Sequence, residues 1–176
     1  MRYVALLRGI NVGGNTMIKM DELKAVFSEL GFENVSSYIN SGNLAFDTKK
    51  TVETRLVDKI EDAVEAKFGK RIHIMVREQS DIKRVLKNNP FDGQFDTHKE
   101  MHVLFLKEPL SAEKKKLLLE TAFDGEHYAS IDREIYAHLP KGVAESTLSK
   151  KAILDKAPRV PYTARNWRTV EKLAEL

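Results

Sequence analysis

The amino-acid sequence predicts an α+β protein made of two ferredoxin-like (split βαβ) halves. The first observation is the order of apolar patterns over residues 1–78, β-α-β-β-α-β, which is the order of the split βαβ arrangement. The second is that the order β-α-β-β-α recurs within residues 79–176. The third is a length of 176 residues with 42% hydrophobic residues, enough for a core without disulfides. We therefore predict two domains, 1–78 and 79–176, related by duplication, the second modified and ending in an extra C-terminal helix.

The first half is predicted to begin with a strand that is covered on both faces. Residues 4–7 are apolar without interruption within the predicted strand 3–8, and such a run is typical of a central strand. The remaining elements follow from periodicity, turn residues and helix caps. They are a helix over 20–30, a strand over 35–39, a turn over 40–43, a strand over 44–46, a helix that Thr51 caps and Gly69 ends, and a half-buried strand on which Ile72, Ile74 and Val76 alternate with polar neighbours.

The second half is predicted to run as helix, strand, helix, hairpin and two final helices. The same signals of period, cap and turn support each element. In order, they are a helix over 81–87, a strand over 101–106, a helix over 111–122, strands over 128–131 and 135–139 around Asp132 and Arg133, a helix from Ser146 to before Pro158, and a last helix that Thr163 caps.

Two loops rich in glycine and asparagine are predicted to meet at one edge of the first sheet. A helix joins strands 1 and 2, so these strands run parallel and both end at the same edge. Strand 3 lies between them, which puts the loop 9–15 and the turn 40–43 about 10 Å apart. The candidate ligand-binding residues at this edge are Arg8, Asn11, Gly13, Gly14, Asn15, Ser41, Gly42 and Asn43.

The residue types at this edge suit recognition of an anion or an amide. Glycine lets backbone N–H groups approach a ligand, and the Arg8 guanidinium can bind a phosphate or a carboxylate through two hydrogen bonds. The spacing matches neither a Walker A loop nor a dinucleotide-binding fingerprint. The alternative is that these residues only form turns, because glycine and asparagine are common wherever φ is positive.

A second candidate cluster lies near the C-terminus, at Arg165, Asn166 and Trp167. On a helix start, two of these side chains would suit a planar anionic ligand, since helix N-termini attract anions and guanidinium groups pair with aromatic faces. The alternative is a capped helix with Trp167 in the core.

Metal and catalytic signals are weak. Asp96, His98, Glu100 and His102 alternate and would share one face of an extended chain. A polar loop that enters a strand is the better explanation, and we predict no metal site. Neither a Gly-x-Ser-x-Gly elbow nor a His-Glu-x-x-His helix occurs. The sequence therefore identifies neither a catalytic residue nor a cofactor, and whether the protein is an enzyme stays open.

Composition narrows the function classes further. The chain has no cysteine, which excludes disulfides and thiolate chemistry, and no apolar run is long enough to span a bilayer, so we expect a cytoplasmic protein without a membrane partner. Eight Lys and Arg against four Asp and Glu make residues 141–176 basic, although the net charge is only +3. This bias hints at an anionic partner.

Four segments together resemble the bacterial family of domain of unknown function 1697. They are residues 7–14, the turn that contains Tyr38, Ser41, Gly42 and Asn43, the run Asn89-Pro90-Phe91, and Thr163, Arg165, Asn166, Trp167 and Thr169. The resemblance spans nearly the whole chain. It implies a small two-part α+β protein with related halves and implies no activity. It also favours one composite site if the halves fold over each other.

Three functions are consistent with the sequence. The first is a binder of an anionic small molecule, or an enzyme acting on one, such as a nucleotide or a sugar phosphate. The second is a nucleic-acid-binding protein, which pI ≈ 9.0 favours but which the absence of the RNA-recognition strand pattern opposes. The third is a protein-interaction or regulatory module. Nothing in the sequence predicts the oligomeric state.

Overall fold

The protein is described from a computed structural model, which covers residues 1–14, 16–123, 125–156 and 158–176. Each half contains four strands, and in each half a helix directly follows the last strand. In chain order the elements are β1 (Arg2–Leu7), α1 (Met20–Glu29), β2 (Glu33–Ser37), β3 (Asn43–Asp47), α2 (Glu53–Phe68), β4 (Ile74–Glu78), α3 (Gln79–Lys87), β5 (Met101–Leu106), α4 (Ala112–Thr121), β6 (His127–Ile131), β7 (Glu134–His138), α5 (Thr147–Lys150), β8 (Tyr162–Asn166) and α6 (Trp167–Leu173).

The first sheet has the predicted ferredoxin-like topology. Its strand order is β2-β3-β1-β4, and every neighbouring pair is antiparallel. One face of this sheet packs against α1 and α2 through a core that includes Tyr3, Phe27, Phe46 and Ile60. The opposite face is also buried, as the nearly inaccessible side chains of Met75 and Arg77 show. The prediction that β4 is half-buried is therefore wrong, because both faces of this strand are covered.

The second sheet repeats the order of the first. Its strand order is β6-β7-β5-β8, again antiparallel throughout, with β5, β6, β7 and β8 in the places of β1, β2, β3 and β4. The predicted α+β architecture of two similar halves is confirmed, and so is the helix α6 at the C-terminus. The fourth strand, β8, was missed by the sequence analysis, so the second half is closer to the first than predicted.

The predicted start of the last helix is wrong. Thr163 does not cap a helix but lies within β8, paired with Phe105. The helix α6 begins four residues later, and its cap is Asn166, whose Oδ1 accepts hydrogen bonds from the Thr169 N–H at 3.0 Å and the Thr169 hydroxyl at 2.9 Å. The polar sequence of β8 lacks a clear strand pattern, and the edge of β5 supplies the hydrogen bonds that make it a strand.

The predicted cap of α2 is also wrong. Val52 holds the N-cap position, and no side chain caps the helix there. The backbone of Thr51 is instead bonded to the Tyr3 hydroxyl, which donates to the Thr51 carbonyl at 3.1 Å and accepts from the Thr51 N–H at 3.2 Å. Gly69 ends the helix as predicted, with a left-handed φ of 69°.

The chain divides into two compact units, Met1–Arg84 with Lys172–Leu176, and Val85–Glu171. The predicted boundary after residue 78 falls inside the first unit. The last five residues belong to the first unit, where both Arg2 Nε and Gln79 Nε2 donate to the Leu176 carbonyl, at 3.0 and 2.5 Å.

Candidate functional site

The predicted loop and turn meet at one edge of the first sheet. The Asn11 side-chain amide donates to the Asn40 carbonyl at 2.7 Å, and the Leu7 N–H donates to the Gly42 carbonyl at 2.9 Å. The two segments are in direct contact, closer than the two strand spacings expected, because the turn folds over the end of β1. We call residues 9–14 and 16–19 with residues 39–43 the loop–turn edge.

Asn11 holds the loop in shape. Its Nδ2 also donates to the Ile18 carbonyl at 2.8 Å, and its Oδ1 accepts from the Ile18 N–H at 2.7 Å. Its φ of 54° is left-handed, a conformation that asparagine tolerates better than most residues. The side chain that was predicted to contact a ligand is therefore engaged in positioning the loop.

Glycines at this edge fall into two kinds. A Cβ on Gly42 would lie 2.7 Å from the Leu7 Cβ, so this position needs glycine for close packing as well as for its φ of 77°. Gly13 and Gly14 have φ of 60° and 77°, are exposed, and a Cβ on either would meet no atom within 4 Å. Backbone at Gly13 and Gly14 is thus open to a ligand, whereas Gly42 is required by the packing.

The turn residues Ser41 and Asn43 form an internal network. Asn43 is fully buried, and its Nδ2 donates to the Tyr38 carbonyl at 3.1 Å and to the Ser41 Oγ at 2.9 Å. These contacts stabilise the turn that supports the loop. Asn15, also predicted as a ligand-binding residue, lies outside the described residues.

An open cleft of about 670 Å³ runs along the loop–turn edge. Its charged residues are Lys19, Asp21 and Glu22. Lys24 is bonded to Asp21 at 2.9 Å and lowers the pKa of that carboxyl, so the Asp21 charge is partly compensated. The full lining is Asn11, Met17, Ile18, Lys19, Met20, Asp21, Glu22 and Asn40.

Two more cations lie next to the loop that follows β1. Lys70 Nζ donates to Thr16 Oγ1 at 2.5 Å, which places an ammonium group on the loop. Arg8 is half-buried where β1 ends, and its N–H donates to the His73 carbonyl at 2.9 Å. A lysine therefore contacts this loop at Thr16, and Arg8 precedes it in the chain.

Exposed apolar residues also concentrate at the loop–turn edge. Val12, Met17 and Ile39 are 61%, 73% and 52% exposed. Ile39 has a φ of 49°, which is rare for a β-branched residue and costs of order 1–3 kcal/mol. An exposed, strained, apolar residue beside a cleft is more typical of a contact surface than of a turn that only reverses the chain.

Arg165 and Asn166, the second predicted cluster, belong to the second unit. Arg165 is on β8, not at a helix start, and its Nη1 donates to Thr163 Oγ1 at 2.7 Å and to the Ala164 carbonyl at 2.8 Å. Burial lowers the pKa of Arg165 to about 10. Trp167 is buried and packs edge-to-face on Phe95 at 6.0 Å, as the core alternative predicts.

Arg165 has a counterpart in the first unit. Arg77 pairs with Val4 across β4 and β1, as Arg165 pairs with Val103 across β8 and β5. Arg77 Nη1 donates to the carbonyl of the preceding Val76 at 2.9 Å, the same contact that Arg165 makes with Ala164. The equivalence indicates a structural part for both arginines in the repeated sheet.

The alternating segment 96–102 does not converge on one point. His98 Nε2 lies 3.0 Å from Glu171 Oε2, whereas Glu100 accepts from the Asp96 N–H and the Thr97 hydroxyl, both at 3.3 Å. His102 lies on β5, and burial lowers its pKa. Within the described residues, no three His, Asp or Glu side chains are grouped so that they could hold a metal ion.

A cluster of aromatic and polar side chains in the second unit was missed by the sequence analysis. His127 and His138 face each other across β6 and β7, and Phe91 packs on both. The predicted hairpin around Asp132 and Arg133 already contained this pairing, since residues equally distant from a two-residue turn lie opposite each other.

Comparison with known proteins places the chain in a family. None of the helices in the described residues is long and apolar enough to cross a membrane. The conserved bacterial protein SP0830 from Streptococcus pneumoniae has a similar structure, with a TM-score of 0.76, 26% identity, and coverage of 99% of this chain and 97% of that one. No curated protein matches the sequence. The model of the family "Protein of unknown function (DUF1697)" matches residues 1–136, and the chain belongs to this family.

Proposed function

We propose that the first unit binds a small molecule with an anionic group, most simply a nucleotide, at the loop–turn edge. The observation that carries this proposal is the set of hydrogen bonds that the Asn11 side chain makes within the protein. Its three side-chain hydrogen bonds hold the loop against the turn, while the backbone of Gly13 and Gly14 stays open to solvent. A loop held in shape before its ligand arrives loses little conformational freedom on binding.

Charge and apolar surface define the ligand class. Lys19 in the cleft and Lys70 on the loop supply positive charge, and Arg8 lies where the loop begins. The exposed Met17 and Ile39 suit the flat apolar face of a base, which a sugar phosphate lacks. Glu22 in the cleft opposes a highly charged anion, so a single phosphate group fits better than a triphosphate.

Thermal denaturation of the full chain with a panel of nucleoside monophosphates, sugar phosphates and inorganic phosphate tests this proposal. A ligand that binds only the native state raises the melting temperature as its concentration rises above its Kd. We expect a monophosphate to do so and the double variant K19Q/K70Q to weaken binding about tenfold, near 1.4 kcal/mol. Lys67→Gln, on the exposed last turn of α2, is the matched control.

Two results would overturn the proposal. One is the absence of any stabilising ligand in the panel, and the other is equal affinity in wild type and K19Q/K70Q. Retention on RNA that weakens steeply with salt would instead favour the nucleic-acid alternative. The cytoplasmic location and the ligand-binding role of Arg165 and Asn166 stay predictions.

We also propose that the two halves arose by duplication. The shared strand order, the helix that follows each fourth strand, and the equivalent contacts of Arg77 and Arg165 support it. Under this proposal Arg165 is retained for the architecture of its sheet.

A further inference from the structure

The connection between the third and fourth strands differs between the two halves. In the first unit it contains α2 (Glu53–Phe68), a regular helix of 16 residues. In the second unit, the described part of residues 139–161 contains α5 (Thr147–Lys150), of four residues, and is otherwise turns and irregular chain. Long irregular segments within a compact domain are uncommon and often functional. The second unit therefore has a feature here that the first unit lacks.

Two side chains from outside this connection hold it in place. Lys114 on α4 is 7% exposed, and its Nζ donates to the Ile153 carbonyl at 3.2 Å and to the Lys156 carbonyl at 2.7 Å. Glu126, which is half-buried, accepts from the Thr147 N–H at 2.8 Å. Hydrogen bonds to charged groups are the stronger ones in proteins. The irregular segment is therefore fixed, and a cavity formed against it keeps its shape.

A cavity of about 180 Å³ lies between this connection and the residues just before β6. Its volume is that of about six water molecules in the liquid. Pockets for drug-sized ligands measure about 300–1,000 Å³, so this cavity selects a molecule smaller than a nucleotide. Besides Thr147, its lining consists of Phe123, Glu126, Pro140, Lys141, Glu145 and Lys150.

Charges of both signs line the cavity and balance among its described residues. Lys141 and Lys150 are positive, and Glu126 and Glu145 are negative. Lys150 Nζ lies 2.9 Å from Glu145 Oε2, and this hydrogen bond, together with the charge of Lys141, lowers the pKa of the Glu145 carboxyl. A simple anion would meet two carboxylates here, and a simple cation would meet two ammonium groups. A ligand that carries one charge of each sign has a partner for both.

The rest of the lining offers an apolar contact beside these charges. Phe123 is 73% exposed, although a phenylalanine ring is among the side chains most favoured by burial. A Cβ on Gly125 would lie 3.9 Å from the Pro140 Cγ, so the proline ring lies close to the chain that follows Phe123. The two rings provide a surface for a small apolar group.

We propose that this cavity binds a free α-amino acid with an apolar side chain. The ligand carboxylate pairs with Lys141 and Lys150, and the ligand ammonium group pairs with Glu145. The ligand side chain contacts Phe123 and Pro140. An exposed ion pair such as Lys150 with Glu145 contributes little to stability by itself, so both groups remain available to share with a ligand. The site belongs to the second unit and does not depend on the loop–turn edge.

The test is NMR of the full chain during separate titrations with leucine, valine and phenylalanine. The reporter is the backbone amide of Thr147, which lines the cavity and donates to Glu126. We expect a saturable shift with at least one of the three amino acids. The N-acetyl derivative of that amino acid lacks the ammonium group, and its amide derivative lacks the carboxylate. We expect each derivative to bind about tenfold more weakly.

Two charge variants test the lining itself. Lys141→Gln and Glu145→Gln each remove one charge from an exposed residue of the cavity, and we expect each to weaken amino-acid binding about tenfold. Lys151→Gln is the matched control, because Lys151 is exposed and next to Lys150 in sequence but does not line the cavity. This variant should bind as the wild type does.

The wild-type titrations alone can refute the amino-acid site, even if a variant does not fold. An unchanged Thr147 signal with all three amino acids would refute it. Equal affinity for an N-acetyl or amide derivative would show that the cavity does not require both charges, and the proposal would be wrong. Equal binding by the wild type and both charge variants would place the amino acid outside this cavity, which also contradicts it.

Discussion

The side chain of Asn11 is bonded to the backbone carbonyl of Asn40, 29 residues away in sequence, at 2.7 Å. This bond ties the loop after β1 to the turn between β2 and β3. The bond is possible because β1 and β2 are parallel and have only β3 between them, so both strands end at the same edge of the sheet. The candidate site of the first unit therefore follows from the topology of its sheet.

Replacing Asn11 with glycine should loosen the loop while still allowing its left-handed φ. Three hydrogen bonds are lost, and we expect the free energy of unfolding to fall by about 2 kcal/mol. Hydrogen exchange at the Ile18 amide, which Asn11 Oδ1 protects, should accelerate. Asn40→Ala is the control, because Asn40 contributes a backbone oxygen to this contact. Unchanged exchange at Ile18 would contradict the positioning role of Asn11.

Gly42→Ala should destabilise the protein far more than Gly13→Ala. Both need a left-handed φ, which costs about 1–2 kcal/mol for a non-glycine residue. Only at Gly42 does the added Cβ approach Leu7, and overpacking adds about 1–3 kcal/mol. Urea denaturation measures both variants. Equal losses would mean that the turn can move away from β1.

Asn166→Ala should lower the free energy of unfolding by about 1 kcal/mol, since it removes the cap of α6. Asn166→Asp keeps an oxygen acceptor for the Thr169 N–H and should be close to wild type. Chemical denaturation of the pair checks this. A loss that is as large with aspartate as with alanine would indicate that the amide nitrogen of Asn166 also contributes to stability, and it would contradict a role limited to capping through Oδ1.

His102 should make the protein less stable in acid. Burial lowers its pKa below the ordinary value of 6.5, so the unfolded chain takes up the proton first as the pH falls. The stability linked to His102 is thus present above 6.5 and is lost as the pH falls toward and through the lowered folded pKa. Urea denaturation at about pH 7.5 and about pH 5 should show a smaller acid loss in His102→Phe than in wild type. A parallel loss in both proteins would assign the acid sensitivity to other groups.

Local sequence patterns were sufficient to predict most of the helices and strands. The continuous apolar run in β1, the helical spacing of Leu23, Val26 and Phe27, and the glycine after α2 all report directly on backbone conformation and burial. They also predicted which loops share an edge of the first sheet, because strand direction follows from connectivity.

Such local patterns could not predict which segments distant in sequence pair as strands. The segment Tyr162–Asn166 is mostly polar and became a strand because β5 offers a free edge. The cap of the last helix is therefore Asn166 and not Thr163. The burial of Met75 and Arg77 likewise depends on what covers the second face of the sheet, and alternation along one strand carries no information about that.

The sequence by itself determined the α+β class, the ferredoxin-like order of the first half, and the meeting of loop and turn, since these depend on periodicity and chain connectivity. Only the tertiary structure decided which polar side chains hold the backbone in place and which have no hydrogen-bond partner. Asn11, Asn43 and Asn166 are engaged by partners close in space. Among the described residues, Asn89 Nδ2 and both ring nitrogens of His138 are buried without a hydrogen-bond partner. Hydrogen-bond satisfaction is a property of the folded surroundings, and residue type alone does not carry it.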